Sequence, residues 1–192
     1  MSEKGIQTRT EILQAAKELF IQKGFTAVTM SDLCEATELS RGGLYRHFSS
    51  TKDVFTTLLM NDKNDWEEET KKAMNADFPA TKMLSYYLEQ VYNGILAGEG
   101  GLSLAIYEFE RSGQDEEGFL TNRYGYALDM MEHLLQYGQS RNEFKKFNTR
   151  IEAEHMVIFI DGLKMAGAAI PLSPDTIKQQ LDSLLSRIER KQ

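Results

Sequence analysis

Thr29, Ser40, Arg41, Tyr45, Arg46 and His47 lie close together in one short stretch of the chain. All are hydrogen-bond donors, and their layout does not suit covalent chemistry. No GxSxG, HExxH, CxxC or phosphate-cradling glycine loop is present, and Cys34 has no histidine near it in sequence. The same groups suit an anionic polymer. Hydroxyl, phenol and imidazole groups donate to phosphate oxygens. A guanidinium fork matches guanine O6 and N7, which makes Arg46 a candidate for base contact. Gly42 and Gly43 stand beside them, each costing a helix about 1 kcal/mol relative to alanine. A helix carries that cost where another body must approach its backbone, although the pair also fits a helix C-terminus or a loop. Tyr45 equally fits a half-buried packing role.

These residues need short, well-capped helices to position them. Thr29 reads as the N-cap of a helix over 30–37, with Asp32 in the first turn. Glu38-Leu39 forms a turn, and Ser40 caps a helix over 41–48. Ser49-Ser50-Thr51 opens a fourth helix that runs through Val54, Phe55, Leu58 and Leu59 towards Met74. A longer helix over 8–23 precedes them, with Ile12, Ala15, Ala16, Leu19 and Phe20 on one stripe and Gly24 as its stop. This is the layout of a helix-turn-helix domain. Leu33, Leu39, Leu44 and Phe48 are placed to hold the pair on a core, with Ala36 as the small residue at the crossing. With Leu44 inward, a step of about 100° per residue sets Phe48 beside it and Gly42 and Arg46 on the outward side, flanked by Gly43 and Tyr45. The helix amino ends at Met30, Arg41 and Lys52 can direct free N–H groups at phosphates.

The net charge of −7 argues against a phosphate ligand until it is divided along the chain. Residues 1–52 hold seven Lys/Arg against six Asp/Glu, while the remainder hold fifteen against twenty-three. The negative charge therefore belongs to the body, and a basic surface on the head is still open. No run of 18 apolar residues and no signal-type N-terminus is present, so no membrane is expected and the cytoplasm is the default. No cofactor is implied. His133 and His155 lack metal-ligand spacing, so no metal site is expected.

Beyond the head, helical periodicity continues over 79–96, 102–111, 116–140, 149–170 and 174–190. Pro79 is expected at a first helical position, and either Asn148 or Thr149 as a cap. The expected fold is all-α with about nine helices: a three-helix helix-turn-helix head over 6–66, its motif near 29–48, and a helical body over 67–192, to which the family resemblance given below assigns ligand binding and dimerisation. Trp66, Met83, Tyr87, Tyr107, Phe109, Tyr124, Met130 and Met131 are candidates for a pocket taking a small apolar or aromatic ligand. Stripes of this kind also make ordinary core. Gly162, Ala166 and Ala169 form a strip of small residues that lets another helix come close.

The stretch from Arg9 to Phe55 resembles the N-terminal domain of TetR family regulators over about 47 residues. The matching features are Arg9 and Ile12, Ala16 with Leu19-Phe20, Gly24-Phe25, Thr29, the run Leu39-Ser40-Arg41-Gly42-Gly43-Leu44-Tyr45-Arg46-His47-Phe48, and Val54-Phe55. The resemblance implies a homodimeric transcriptional regulator of inverted-repeat double-stranded DNA, most often a repressor released by a small molecule. It implies that Thr29, Ser40, Arg41, Gly42, Gly43, Tyr45, Arg46 and His47 face DNA, with Arg9 and either Thr51 or Lys52 touching the backbone. It also implies a dimer interface in which the Gly162/Ala166/Ala169 strip joins Leu181, Leu184 and Ile188 of the last helix, and a structural role for Asp161. Three positions depart from the family pattern. Gly43 stands where a small polar residue is usual, Glu38 where glycine is usual in the turn, and Thr51 where lysine is usual.

Overall fold

The computed structural model describes residues 3–115 and 118–190, apart from the side chains of 62–65. Among the described residues nine helices follow one another: α1 (Glu3–Lys23), α2 (Met30–Thr37), α3 (Arg41–Tyr45), α4 (Thr51–Asn75), α5 (Ala80–Leu96), α6 (Gly100–Arg111), α7 (Phe119–Ser140), α8 (Thr149–Ala169) and α9 (Pro174–Ile188). Among the described residues the only β pairing is one isolated bridge between Phe144 and Glu189. None of the described helices is long and apolar enough to cross a membrane. The expected start of α7 at Glu116 lies outside the described residues.

Two compact units divide the chain: residues 1–64 with 101–119, and residues 65–100 with 120–192. The expected head ends at 66, and the first stretch of the first unit ends at 64. The segment containing α6 was expected in the body, yet it groups with the head. Phe109 on α6 explains this, because it is fully buried against Phe25 and Phe55, with ring centroids 4.8 and 5.4 Å away. Phe20 completes the cluster, 4.7 Å from Phe55. Glu108 adds a polar tie, accepting from the Thr26 amide and hydroxyl at 3.2 Å each. At Gly101 a Cβ would run into the Ile21 carbonyl, so only glycine lets α6 begin so close to α1.

The remaining core of the first unit is built as the periodicity requires. Ile12, Leu13, Ala16 and Phe20 of α1 meet Leu33 of α2, Leu44 of α3, Phe48, and Val54, Phe55, Leu58 and Leu59 of α4, all buried. Ala36 is exposed, so it is not the close-approach residue expected at the α2–α3 crossing; Cys34 and Thr37 are the partly buried small residues of that helix. The Thr37 hydroxyl turns back to donate to the Leu33 carbonyl at 2.6 Å.

Glu38 carries the conformation that its neighbours' chemistry does not favour. It ends α2 at φ 55° and ψ 20°, the left-handed region where a Cβ costs about 1–2 kcal/mol. Glu38→Gly is therefore expected to raise stability by about 1 kcal/mol, visible as a higher melting temperature; an unchanged or lower one would contradict the reading.

In the second unit α5 packs on α8 and α9. Its core comprises Leu84, Leu88 and Val91 of α5, Leu134 and Leu135 of α7, Met156 and Ile160 of α8, and the α9 stripe Ile177, Leu181, Leu184 and Ile188. Caps settle the boundaries. Asn148, rather than Thr149, caps α8 by accepting from the Ile151 amide at 3.1 Å, while Thr149 donates to Glu132. Ser173 caps α9 with Pro174 in the first turn, as expected, and Pro79 sits one residue earlier than expected, at the N-cap of α5. Lys145 donates to the Ser186 and Arg187 carbonyls, satisfying the C-terminal end of α9. Burial alone would raise the Glu143 carboxyl, but the Thr81 amide, Arg141 and the Thr81 hydroxyl together hold it below its ordinary value.

Candidate nucleic-acid interface

The two caps fix the geometry of the helix-turn-helix. Thr29 accepts from the Asp32 amide at 3.2 Å, and Asp32 Oδ2 accepts from the Thr29 amide at 2.8 Å, a complete capping box. Lys23 donates to Asp32 at 2.7 Å, and its hydrogen bond, followed by those of Thr29, holds the Asp32 carboxyl well below the usual carboxylate range. The Thr29 hydroxyl also donates to Asp32 Oδ2 at 2.5 Å, so its proton is already committed. Ser40 is different. Its oxygen accepts from the Gly43 amide at 3.2 Å, which leaves the hydroxyl proton to point outward.

α3 is shorter than expected, ending at Tyr45 rather than Phe48. Arg46 nevertheless keeps helical angles (φ −69°, ψ −26°), so the helical face continues through it. Leu44 is fully buried, while Arg41, Gly42, Tyr45 and Arg46 are exposed, Tyr45 to 53%. His47 is half-buried. Arg41 reaches Ser31 at 3.4 Å, which links the outer surfaces of α2 and α3. A Cβ at Gly42 meets nothing within 4 Å, so the fold itself does not require glycine there. At Gly43 a Cβ would lie 3.3 Å from the Ser40 hydroxyl and 3.8 Å from Leu39, a crowded place directly over the cap. This accounts for the departure from the family's usual residue only in that glycine leaves the Ser40 hydroxyl clear.

Arg9 has a role within the head. Its guanidinium donates to the His47 carbonyl at 2.5 Å and to Thr57 at 3.3 Å, and lies 4.0 Å over the Phe48 ring. Arg9 thus ties the segment after α3 to α4 through two of its five N–H donors. The start of α4 is resolved as well. Ser50 is the capping residue, accepting from the Asp53 amide at 3.1 Å, while Asp53 accepts from the Ser49 amide at 2.8 Å. Thr51 is therefore the first helical residue and not the cap, with Lys52 one step further; both are half-buried. Lys23–Asp32 and Ser31–Arg41 escaped the sequence reading because each joins residues whose spacing follows no helical repeat.

The pocket candidates belong to both units. Phe109 and Tyr107 belong to the first unit, Phe109 in its aromatic core and Tyr107 exposed beneath the Arg111 guanidinium. Met83 and Met131 are core residues of the second unit, Met130 is buried there, and Tyr124 is exposed. Trp66 and Tyr87 do meet, with ring centroids 5.3 Å apart. The interface candidates divide too. Leu181, Leu184 and Ile188 are 4%, 6% and 1% exposed within the protomer's own core, so they retain almost no surface to offer a partner. Gly162 and Ala169 are exposed and Ala166 half-buried on the outer face of α8, continuous with Ile151 and Ile158, exposed to 63% and 61%.

A capped helix pair that presents exposed donors and an uncrowded glycine on one face defines a helix-turn-helix head. The pattern for bacterial regulatory proteins of the tetR family matches residues 12–58, and that for the tetracyclin repressor-like C-terminal domain matches residues 83–179. The chain belongs to the TetR family of helix-turn-helix transcriptional regulators. It is 29% identical over 140 residues to an uncharacterized HTH-type transcriptional regulator, YfiR, of Bacillus subtilis, spanning 71% of this chain and 68% of that one. It is 38% identical over 64 residues to the HTH-type transcriptional regulator QacR of Staphylococcus aureus, a match that spans 33% of this chain and 34% of that one. Among solved structures, a TetR family regulator from Agrobacterium tumefaciens superposes with a TM-score of 0.80 at 16% identity, covering 97% of this chain and all of that one. A putative transcriptional regulator from Saccharomonospora viridis in complex with choline gives 0.76 at 19% identity, covering 96% and 99%.

The exposed glycine yields a clean test. Gly42→Ala is expected to leave the melting temperature unchanged or higher, because its methyl meets open space and helix propensity favours alanine. Operator affinity should fall nonetheless, as the added methyl holds the backbone off the groove. Loss of stability, or full retention of affinity, would contradict this.

Proposed function

We propose that this protein is a homodimeric repressor that reads an inverted-repeat operator with α3 and releases it when a small apolar or aromatic molecule occupies the body. The observation that carries this reading is the outward face of α3, where Arg41, Gly42, Tyr45 and Arg46 are exposed on a rigidly capped and clamped head. Arg46 reads a base, while Tyr45, Arg41 and Ser40 hold phosphates. Two such heads are needed for an inverted repeat, and the exposed α8 face through Ile151, Ile158, Gly162 and Ala169 supplies the surface on which a second copy seats. Cytoplasmic residence follows from a target on the chromosome. The ligand acts by favouring the arrangement that does not bind DNA; equal affinity for both arrangements would shift nothing.

The test combines two measurements. Fragments of genomic DNA that bind the purified protein are selected, and a compound library is screened by thermal shift for molecules that stabilise as RT ln(1 + [L]/Kd). Compounds that raise the melting temperature should lower affinity for the selected fragment. Stabilising compounds that leave DNA affinity unchanged would overturn the release mechanism.

A further inference from the structure

Within the second unit, four helices bring together a cluster that the DNA-binding function does not use. Trp66 and Glu67 come from α4, Tyr87 from α5, Arg123 and Tyr126 from α7, and Asp161 from α8. The Trp66 and Tyr87 rings are in contact, inclined at 51°. Among the described residues Arg123 Nε is buried with no hydrogen-bond partner. Burial pushes the Tyr87 phenol up to about 12, with Asp161 adding to the effect and Arg123 opposing it, so both charges lie near that hydroxyl.

The acids of the cluster are already served. Glu67 pairs with Lys71 and interacts with the Tyr126 hydroxyl. Asp161 is exposed to solvent. The unmet requirement is that of a cationic donor. A buried N–H without an acceptor is destabilising, the more so when the group is charged. A cationic ligand would have to displace Lys71 and then lie beside Arg123. An anionic acceptor meets that unmet requirement directly, and the ring pair offers it apolar surface.

We propose that this cluster is an acid-binding site, in which a monocarboxylate with an aromatic or aliphatic body lies against Trp66 and Tyr87 and its carboxylate accepts from Arg123. The proposal rests on the ligand-responsive reading above and narrows its chemistry from apolar to acidic. Trp66 is the chain's only tryptophan, so its emission reports the site directly.

The full-length protein is titrated with octanoate, phenylacetate and 4-phenylbutyrate, each against its primary amide, following tryptophan emission and melting temperature. At least one acid is expected to move both signals and to bind about tenfold or more tightly than its amide. Arg123→Gln should remove that preference. If Arg123→Gln melts lower without ligand, the comparison of acid with amide on the unaltered protein still decides. No acid outbinding its amide, or an acid preference that survives Arg123→Gln, would overturn the site. Operator titration separates the two readings. An acid that binds through Arg123 yet leaves DNA affinity unchanged sinks the sensor while leaving the site, and release by the amides alone sinks the site while leaving the sensor.

Discussion

Ile158→Glu is expected to yield a folded monomer whose operator affinity has fallen by more than about a hundredfold. In the protomer Ile158 is exposed to 61%, so the substitution removes little from the chain's own core and should change its stability by no more than about 0.5 kcal/mol. At a two-fold interface the same carboxylate meets its symmetry mate in a dry setting, without partners and with a like charge opposite, which costs several kcal/mol. A monomer binds one half-site and loses the gain that linkage gives the second, typically a factor of 10² to 10⁴. Circular dichroism checks the fold, light scattering the mass, and a DNA titration the affinity. A monomeric unaltered protein at micromolar concentration, or a dimeric Ile158→Glu, would contradict the placement of the interface on α8.

Arg46→Ala is the second large effect. Arg46 extends the exposed face of α3 beyond its last helical residue and has Gly42 one turn behind it, where the backbone can sink into a groove. Loss of a bidentate contact to guanine costs about 1–3 kcal/mol per half-site, and a symmetric dimer incurs it twice. The preference for guanine at that base pair should relax along with the affinity. Tyr45→Phe removes a phosphate donor that carries no base information, so it should weaken all sequences alike. Both variants are measured on an operator library. A uniform loss for Arg46→Ala with base preferences intact would remove Arg46 from the reading role.

The helix-turn-helix was legible because its signals are local. Thr29 and Ser40 announce their caps to residues three positions away, and Leu44 and Phe48 mark the inward face by spacing alone. Glu38 was legible as a residue standing where the family usually has glycine, and the structure gives it the left-handed conformation that glycine favours. What was not legible depends on distant partners. Arg9 reads as a surface arginine until His47 and Thr57, far along the chain, each accept one of its hydrogen bonds. Phe109 reads as one more aromatic of the body, yet the company it keeps is Phe25 and Phe55. The stripe of α9 is plainly apolar in sequence, but periodicity states only that it is buried, not whether its own protomer or a partner buries it. The helix's own core takes Leu181, Leu184 and Ile188, and the apolar residues left exposed lie on α8 instead.

The most direct test of the account is the footprint and stoichiometry of the complex on a DNA fragment selected from genomic sequence. The expected complex contains an even number of protomers and protects two inverted half-sites whose centres lie about one helical turn, or a multiple of it, apart. Affinity should fall steeply as salt rises, since phosphate contacts release counterions. A single protected half-site bound by one protomer, or binding of equal strength to every fragment, would contradict it.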